Sequence, residues 1–250
     1  MNKRIERRGN IHLTIMIPVL VIALAILAAC SISSTDSIIF RDDFEGELNE
    51  DWFWVNEDPS RWSISDEKGW LSITADNSSM LHKSEIIGQT NVLVRPAPEG
   101  DFTLTVKMDT QPAEDFQQAG IYIIEDGFDY VAILVSFCMD CSPASGGEQI
   151  EMKAVRDNQP LLANTYIPKP PGVGSEVSLR LAYSSKVNSI TGFYSFDGVD
   201  WEEAFQVRDA PPFDKVGLSA TNSPGPGGVQ RDLIARFDFF ELIKPATNSQ

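Results

Sequence analysis

Alternation of apolar and polar side chains, repeated in segment after segment, is the feature that most limits what this chain can become. Phe102, Leu104, Val106 and Met108 alternate with Thr103, Thr105 and Lys107, and Val177, Leu179, Leu181 and Tyr183 alternate with Ser178, Arg180 and Ala182. A period of two puts every second side chain on one face of an extended strand, so each run predicts a half-buried β-strand. Further strands are predicted at Ile38 to Phe44, Trp70 to Thr74, Gln118 to Ile124, Tyr130 to Cys138, Gln149 to Arg156, Ile190 to Phe196, Val216 to Ala220 and Ile234 to Leu242. Between them, Asp126-Gly127, Asp197-Gly198, Pro168 to Gly174 and Ser223 to Gly228 supply turn and loop residues. No segment after residue 30 sustains a helical repeat. More than ten short strands without interleaved helices predict an all-β sandwich or barrel and argue against a parallel α/β sheet. Residues 38–243 suffice for one such domain, and residues 244–250 are read as a disordered tail.

The first thirty residues follow a different pattern. Lys3, Arg4, Arg7 and Arg8 precede an almost uncharged stretch of 19 residues from Ile11 to Ala29, the arrangement of an export signal. The stretch closes on Leu27-Ala28-Ala29-Cys30, which resembles the lipobox of bacterial lipoproteins. The resemblance implies a signal peptide at 1–29, a lipid on Cys30 and a flexible Ser/Thr-rich tether through residue 37. An uncleaved signal-anchor helix is the alternative, since about 20 apolar residues cross a bilayer. Either way the rest of the chain is expected outside the cytoplasm, held at the cell envelope.

Charge narrows the partners. Taking four cations and Glu6 from the totals of 20 basic and 36 acidic residues leaves 16 and 35 after residue 29. So acidic a chain is not expected to bind nucleic acid, and its membrane contact should be the lipid alone. After Cys30 the cysteines are Cys138 and Cys141. In an oxidising compartment a disulfide between them is the first expectation, ahead of a redox-active or a metal-binding CxxC.

Several segments resemble a known family. Phe40-Arg41-Asp42-Asp43-Phe44 with Trp52, followed by Asn56-Glu57-Asp58-Pro59-Ser60-Arg61-Trp62, looks like the start of the concanavalin A-like domain that accompanies the propeller of family 43 β-xylosidases. Gln118-Ala119-Gly120-Ile121-Tyr122, Tyr194-Ser195-Phe196-Asp197-Gly198-Val199-Asp200-Trp201 and Ala235-Arg236-Phe237-Asp238-Phe239-Phe240 resemble later landmarks of the same domain, in the same order. The resemblance implies a jelly-roll sandwich of two antiparallel sheets over residues 38–243. It implies no hydrolysis, because in those enzymes the catalytic carboxylates belong to the propeller. The run Glu148-Gln149-Ile150-Glu151 also lacks the Glu-x-Asp-x-x-Glu spacing of catalytic jelly rolls.

Strand parity then nominates a binding face. With Ala119, Ile121 and Ile123 facing the core, Gln118 and Tyr122 point away from it, and Tyr130, Arg180 and Lys153 do so by the same rule. Aromatic rings beside amide and guanidinium donors suit a carbohydrate, so Gln118, Tyr122, Tyr130, Arg180 and Trp54 are the candidate sugar contacts. The competing expectation is a solvated sheet on an envelope scaffold or protein-interaction domain, and the third is a glycoside hydrolase whose carboxylate pair the sequence does not display. No cofactor is required by this reading. A structural calcium is a further candidate, with Asp43 near the first strand and Asp238 in the last as carboxylate ligands.

Overall fold

The structure, a computed structural model, describes residues 36–75, 89–126, 129–139, 147–162, 165–222 and 231–246. The strands in these residues are β1 Ser37–Asp42, β2 Phe53–Val55, β3 Trp62–Ser63, β4 Leu71–Ala75, β5 Val92–Pro96, β6 Phe102–Thr110, β7 Gln117–Ile124 and β8 Tyr130–Cys138, then β9 Gly147–Arg156, β10 Gln159–Pro160, β11 Tyr166–Pro168, β12 Glu176–Ser184, β13 Ser189–Ser195, β14 Glu202–Arg208, β15 Lys215–Asn222 and β16 Leu233–Lys244. They build two eight-stranded sheets. Sheet I runs β14-β13-β12-β6-β16-β4-β3 with β1 against β16, and sheet II runs β10-β9-β8-β7-β15-β5-β2 with β11 against β9. The pairings are antiparallel, and β1 on β16 brings Ser37 opposite Lys244.

One core lies between the sheets, and the alternating residues fill it. Phe102, Leu104, Val106 and Met108 of sheet I and Ala119, Ile121, Ile123, Val131, Ile133 and Val135 of sheet II belong to one buried cluster. The layers interdigitate closely at Gly192, where a Cβ would lie 2.7 Å from the Met152 sulfur of the opposite sheet. Tyr183, placed in an alternating core set by sequence, is only half-buried near the rim of its strand, as is Phe137 in β8.

Sheet II departs from the half-buried pattern. On its second face, Val92, Val94, Tyr122, Ile124, Tyr130, Ala132 and Leu134 form another buried apolar cluster. Strand β5 therefore has Leu93 in the main core and Val92 and Val94 in the second cluster, all at 0–1 % exposure. A strand buried on both faces reads as a continuous apolar run, which is why Val92-Leu93-Val94 carries no alternation.

Candidate functional site

The side chains that parity directs away from the core on β7, β8 and β9 meet on the second face of sheet II. Cross-strand register sets Gln118 opposite Ser136 and Ser136 opposite Gln149, with the neighbouring row running from Gly120 through Leu134 to Glu151 and Tyr166. Lys153 sits one row further along, opposite Ala132, which is itself opposite Tyr122. Gly120 has no side chain to fill the middle, and there the long side chains join. Lys153 Nζ donates to Gln118 Oε1 at 2.8 Å and lies 3.5 Å from Glu151 Oε1, while Gln118 Nε2 donates to Glu151 Oε2 at 3.4 Å. Gln149 Nε2 donates to Ser136 Oγ at 3.2 Å beside them.

Burial governs the electrostatics of this face. Gln118 is 8 % exposed and Glu151 7 %, and the Lys153 side chain keeps 14 %. Loss of hydration pulls the Lys153 ammonium below its usual range, opposed by the charge and hydrogen bond of Glu151. Desolvation pushes the Tyr130 phenol up to about 12, with the Glu151 charge adding to it, and drives Tyr122 higher still. Tyr166 is raised for the same two reasons, so one carboxylate is felt by three tyrosines.

The sugar candidates named from sequence do not all converge. Gln118, Tyr122 and Tyr130 share this face, but the two tyrosines are 1 % and 2 % exposed, so their rings are already covered. Their expected role as open stacking platforms is corrected by that burial. Arg180, expected on the same sheet, lies in β12 of sheet I. Trp54 is expected at the surface among Asn56, Glu57 and Asp58. Instead it is half-buried against the core, its ring centroid 4.9 Å from that of Trp62, because it pairs with core residue Leu93.

Asp43 and Asp238 do line one open cavity of about 430 Å³ with Arg41, Glu45 and Glu47. Each already has a cation: Asp43 pairs with Arg41 at 2.6 Å and Asp238 with Lys107 at 3.2 Å. Among the described residues no group of three or more His, Cys, Asp or Glu side chains is arranged to hold a metal. Cys138 is disulfide-bonded. Cys141 and Cys30 lie outside the described residues.

With this geometry in place, comparison with known proteins fixes the family. A profile described as "Beta xylosidase C-terminal Concanavalin A-like domain" matches residues 41–241. The chain belongs to that family. Among solved structures, this family domain is similar to the GH43 BlXynB protein from Bacillus licheniformis, with a TM-score of 0.67 and 23% identity over 81% of this chain and 39% of that one. It is also similar to xylan beta-1,4-xylosidase from Bacillus halodurans, with a TM-score of 0.63 and 18% identity over 82% and 39% of the two chains. The Lotus tetragonolobus seed lectin shares the fold at a TM-score of 0.53 and 13% identity, covering 82% of this chain and 98% of the lectin. At these identities the likeness establishes the all-β, concanavalin A-like sandwich. The family domain thus spans about two fifths of the length of those two solved Bacillus chains. A comparison with curated proteins finds no match.

Within the family domain, Glu151, Gln149, Tyr166 and Gln89 complete a cluster of which the sequence singles out Gln118, Tyr122, Tyr130 and Lys153. The alternation of Ile150, Met152 and Ala154, all buried in the main core, was the available signal for β9. It sends Gln149, Glu151 and Lys153 together to the other face. Gln89 carries no such signal, since it precedes its strand and reaches Tyr122 and Ser219 only through the fold.

Proposed function

We propose that this protein is a non-catalytic carbohydrate-binding module, held at the bacterial cell envelope by a lipid on Cys30, and that it takes sugar at Gln118, Glu151 and Lys153. The observation that carries the reading is a buried Lys–Glu–Gln constellation on a sheet face that the main core does not use. A buried ion pair is a weak source of stability, and apolar residues of similar volume often serve a fold as well or better. Retaining amide, carboxylate and ammonium together in a covered site suits a function, and these groups donate to and accept from sugar hydroxyls. The family and the lectin-like fold are consistent with it. Glu151 meets a lysine and an amide, whereas a retaining glycosidase needs a second carboxylate at about 5 Å.

The test is a glycan array probed with the detergent-solubilised full chain and with Glu151→Gln and Lys153→Met variants of matched thermal stability. Saturable binding that both variants lose supports the reading. Binding that both variants retain, or none from folded protein, overturns it. The covered rings of Tyr122 and Tyr130 favour a second reading, an envelope scaffold that contacts another protein, and a blank array from folded protein points there.

A further inference from the structure

On the outer face of sheet I, away from the Glu151 cluster, Arg180 breaks a rule that the other covered cations obey. Arg61, Arg95, Lys107, Lys153, Arg156, Lys169 and Lys215 are buried or half-buried, and each makes an ion pair. Arg180 is half-buried and, among the described residues, pairs with no carboxylate, in a chain of net charge −16. Of the carboxylates two strands away in its row, Glu203 beyond Phe193 and Glu241 beyond Thr105, neither forms an ion pair with it; the Glu241 charge is felt by Arg180, but Glu241 is bound by Arg41 at 3.0 Å.

The guanidinium is nevertheless held in place. Its carbon lies 3.7 Å from the Trp201 ring centroid, and Nε donates to Thr105 Oγ1 at 3.1 Å. Trp201 is in turn positioned by the preceding turn, where Asp197 accepts from the Val199 and Asp200 amides, both at 2.8 Å, and from Ser195 Oγ at 2.9 Å. With Nε committed and one guanidinium face stacked, the Nη1 and Nη2 donors stay available. Burial lowers the pKa of this group, the sign of hydration already partly lost. Two residues along the strand, Ser178 faces Ser195 across the sheet, and both line a cavity of about 270 Å³ together with Lys107, Glu176 and Asp197.

We propose that Arg180, stacked on Trp201, binds the carboxylate of an acidic sugar, a uronic acid residue of an envelope or plant-type polysaccharide, whose hydroxyls reach the Ser178–Ser195 cavity. Planar forked donors match a carboxylate in a way that an ammonium cannot, and preorganisation by Trp201 and Thr105 removes much of the ordering entropy. The inference rests on the carbohydrate reading above but uses a different sheet, so the two fail separately.

The full chain in detergent would be titrated calorimetrically with tetragalacturonic acid, with its methyl ester and with neutral xylotetraose. The acid should bind. The ester, Arg180→Gln and Arg180→Lys should each weaken binding by about tenfold or more, the size of a charge-assisted hydrogen bond. Lys186→Gln, which removes an exposed cation outside both sites, should leave the acid's affinity unchanged. Equal binding of acid and ester, no binding of the acid, or full binding by Arg180→Gln overturns the proposal. If the acid fails while xylotetraose binds and is lost in Glu151→Gln, only the Arg180 assignment falls. Should Arg180→Gln fold poorly, the ester comparison on the unaltered chain still decides.

Discussion

Gly120 sits at the centre of the Glu151 cluster for a steric reason. A Cβ there would lie 2.2 Å from the Ile133 carbonyl oxygen and 2.9 Å from the Leu134 Cα. Overpacking costs roughly 1–3 kcal/mol, and backbone atoms cannot rotate aside, so Gly120→Ala is expected to lose about 3 kcal/mol, read from its urea midpoint. Two neighbouring phenols give the face a pH signature. Tyr130 titrates at about 12 and Tyr122 above it, against an ordinary 10.0. The unfolded chain therefore releases these protons first. The stability they contribute is complete below pH 10.0 and is lost as pH climbs through about 12. For Tyr130 alone the loss is on the order of 3 kcal/mol. Lys153 acts in the opposite sense, because its folded-state value is lowered: stability gained from it rises as pH approaches 10.5. Urea midpoints measured across the alkaline range should fall above pH 10.0 in the natural chain and fall less in a Tyr122→Phe, Tyr130→Phe variant. Equal slopes would show that the phenols are not what titrates. At this scale parity read from sequence gave the direction of Gln118 and Tyr122. It could not report that the face they enter is covered.

Among elements, β1 shows how one buried carboxylate can hold a strand that has few apolar contacts. Ile38 and Ile39 are 60% and 45% exposed, so little of the strand's stability comes from them. Asp42, at its end, accepts from the Phe44 amide at 2.9 Å, the Asn49 amide at 3.2 Å and the Trp52 indole at 2.9 Å. Phe40 packs edge-on against Trp52 and Phe240, with the Arg95 guanidinium 3.2 Å from its ring centroid. Asp42→Ala would leave three donors without an acceptor. We expect a loss of about 3–5 kcal/mol in urea unfolding, whereas an unchanged midpoint would mean that water replaces the carboxylate without penalty. Long half-buried strands were the legible elements: Tyr130 to Cys138 is predicted and observed with the same limits. Strands β2, β3, β10 and β11 have two or three residues, too few to display a period. Strand β14 escaped because Glu202, Glu203, Gln206 and Arg208 leave it an exposed, mostly polar edge.

For the molecule as a whole, anchoring is the property most open to a direct test. A lipid on Cys30 predicts that the full chain partitions into detergent phase and takes up an alkyne-labelled fatty acid, and that Cys30→Ser loses the label. Labelling that survives in Cys30→Ser would remove Cys30 as the anchor and reopen the signal-anchor helix. The all-β class and most of the main core were determined by sequence, because a period of two allows each long strand one apolar face and two such faces must meet. The family followed from segments whose order along the chain is itself a sequence property. What the tertiary structure decided is which side chains meet across strands and what covers them. Arg180 and Gln118 both point away from the core by parity, yet sheet order sends them to opposite sides of the sandwich. Glu151 and Lys153 read locally as ordinary polar positions, and only the pairing of β7, β8 and β9 joins them to Gln118. Register and sheet order are set by packing between segments far apart in the chain, which is information that no local pattern of residues contains.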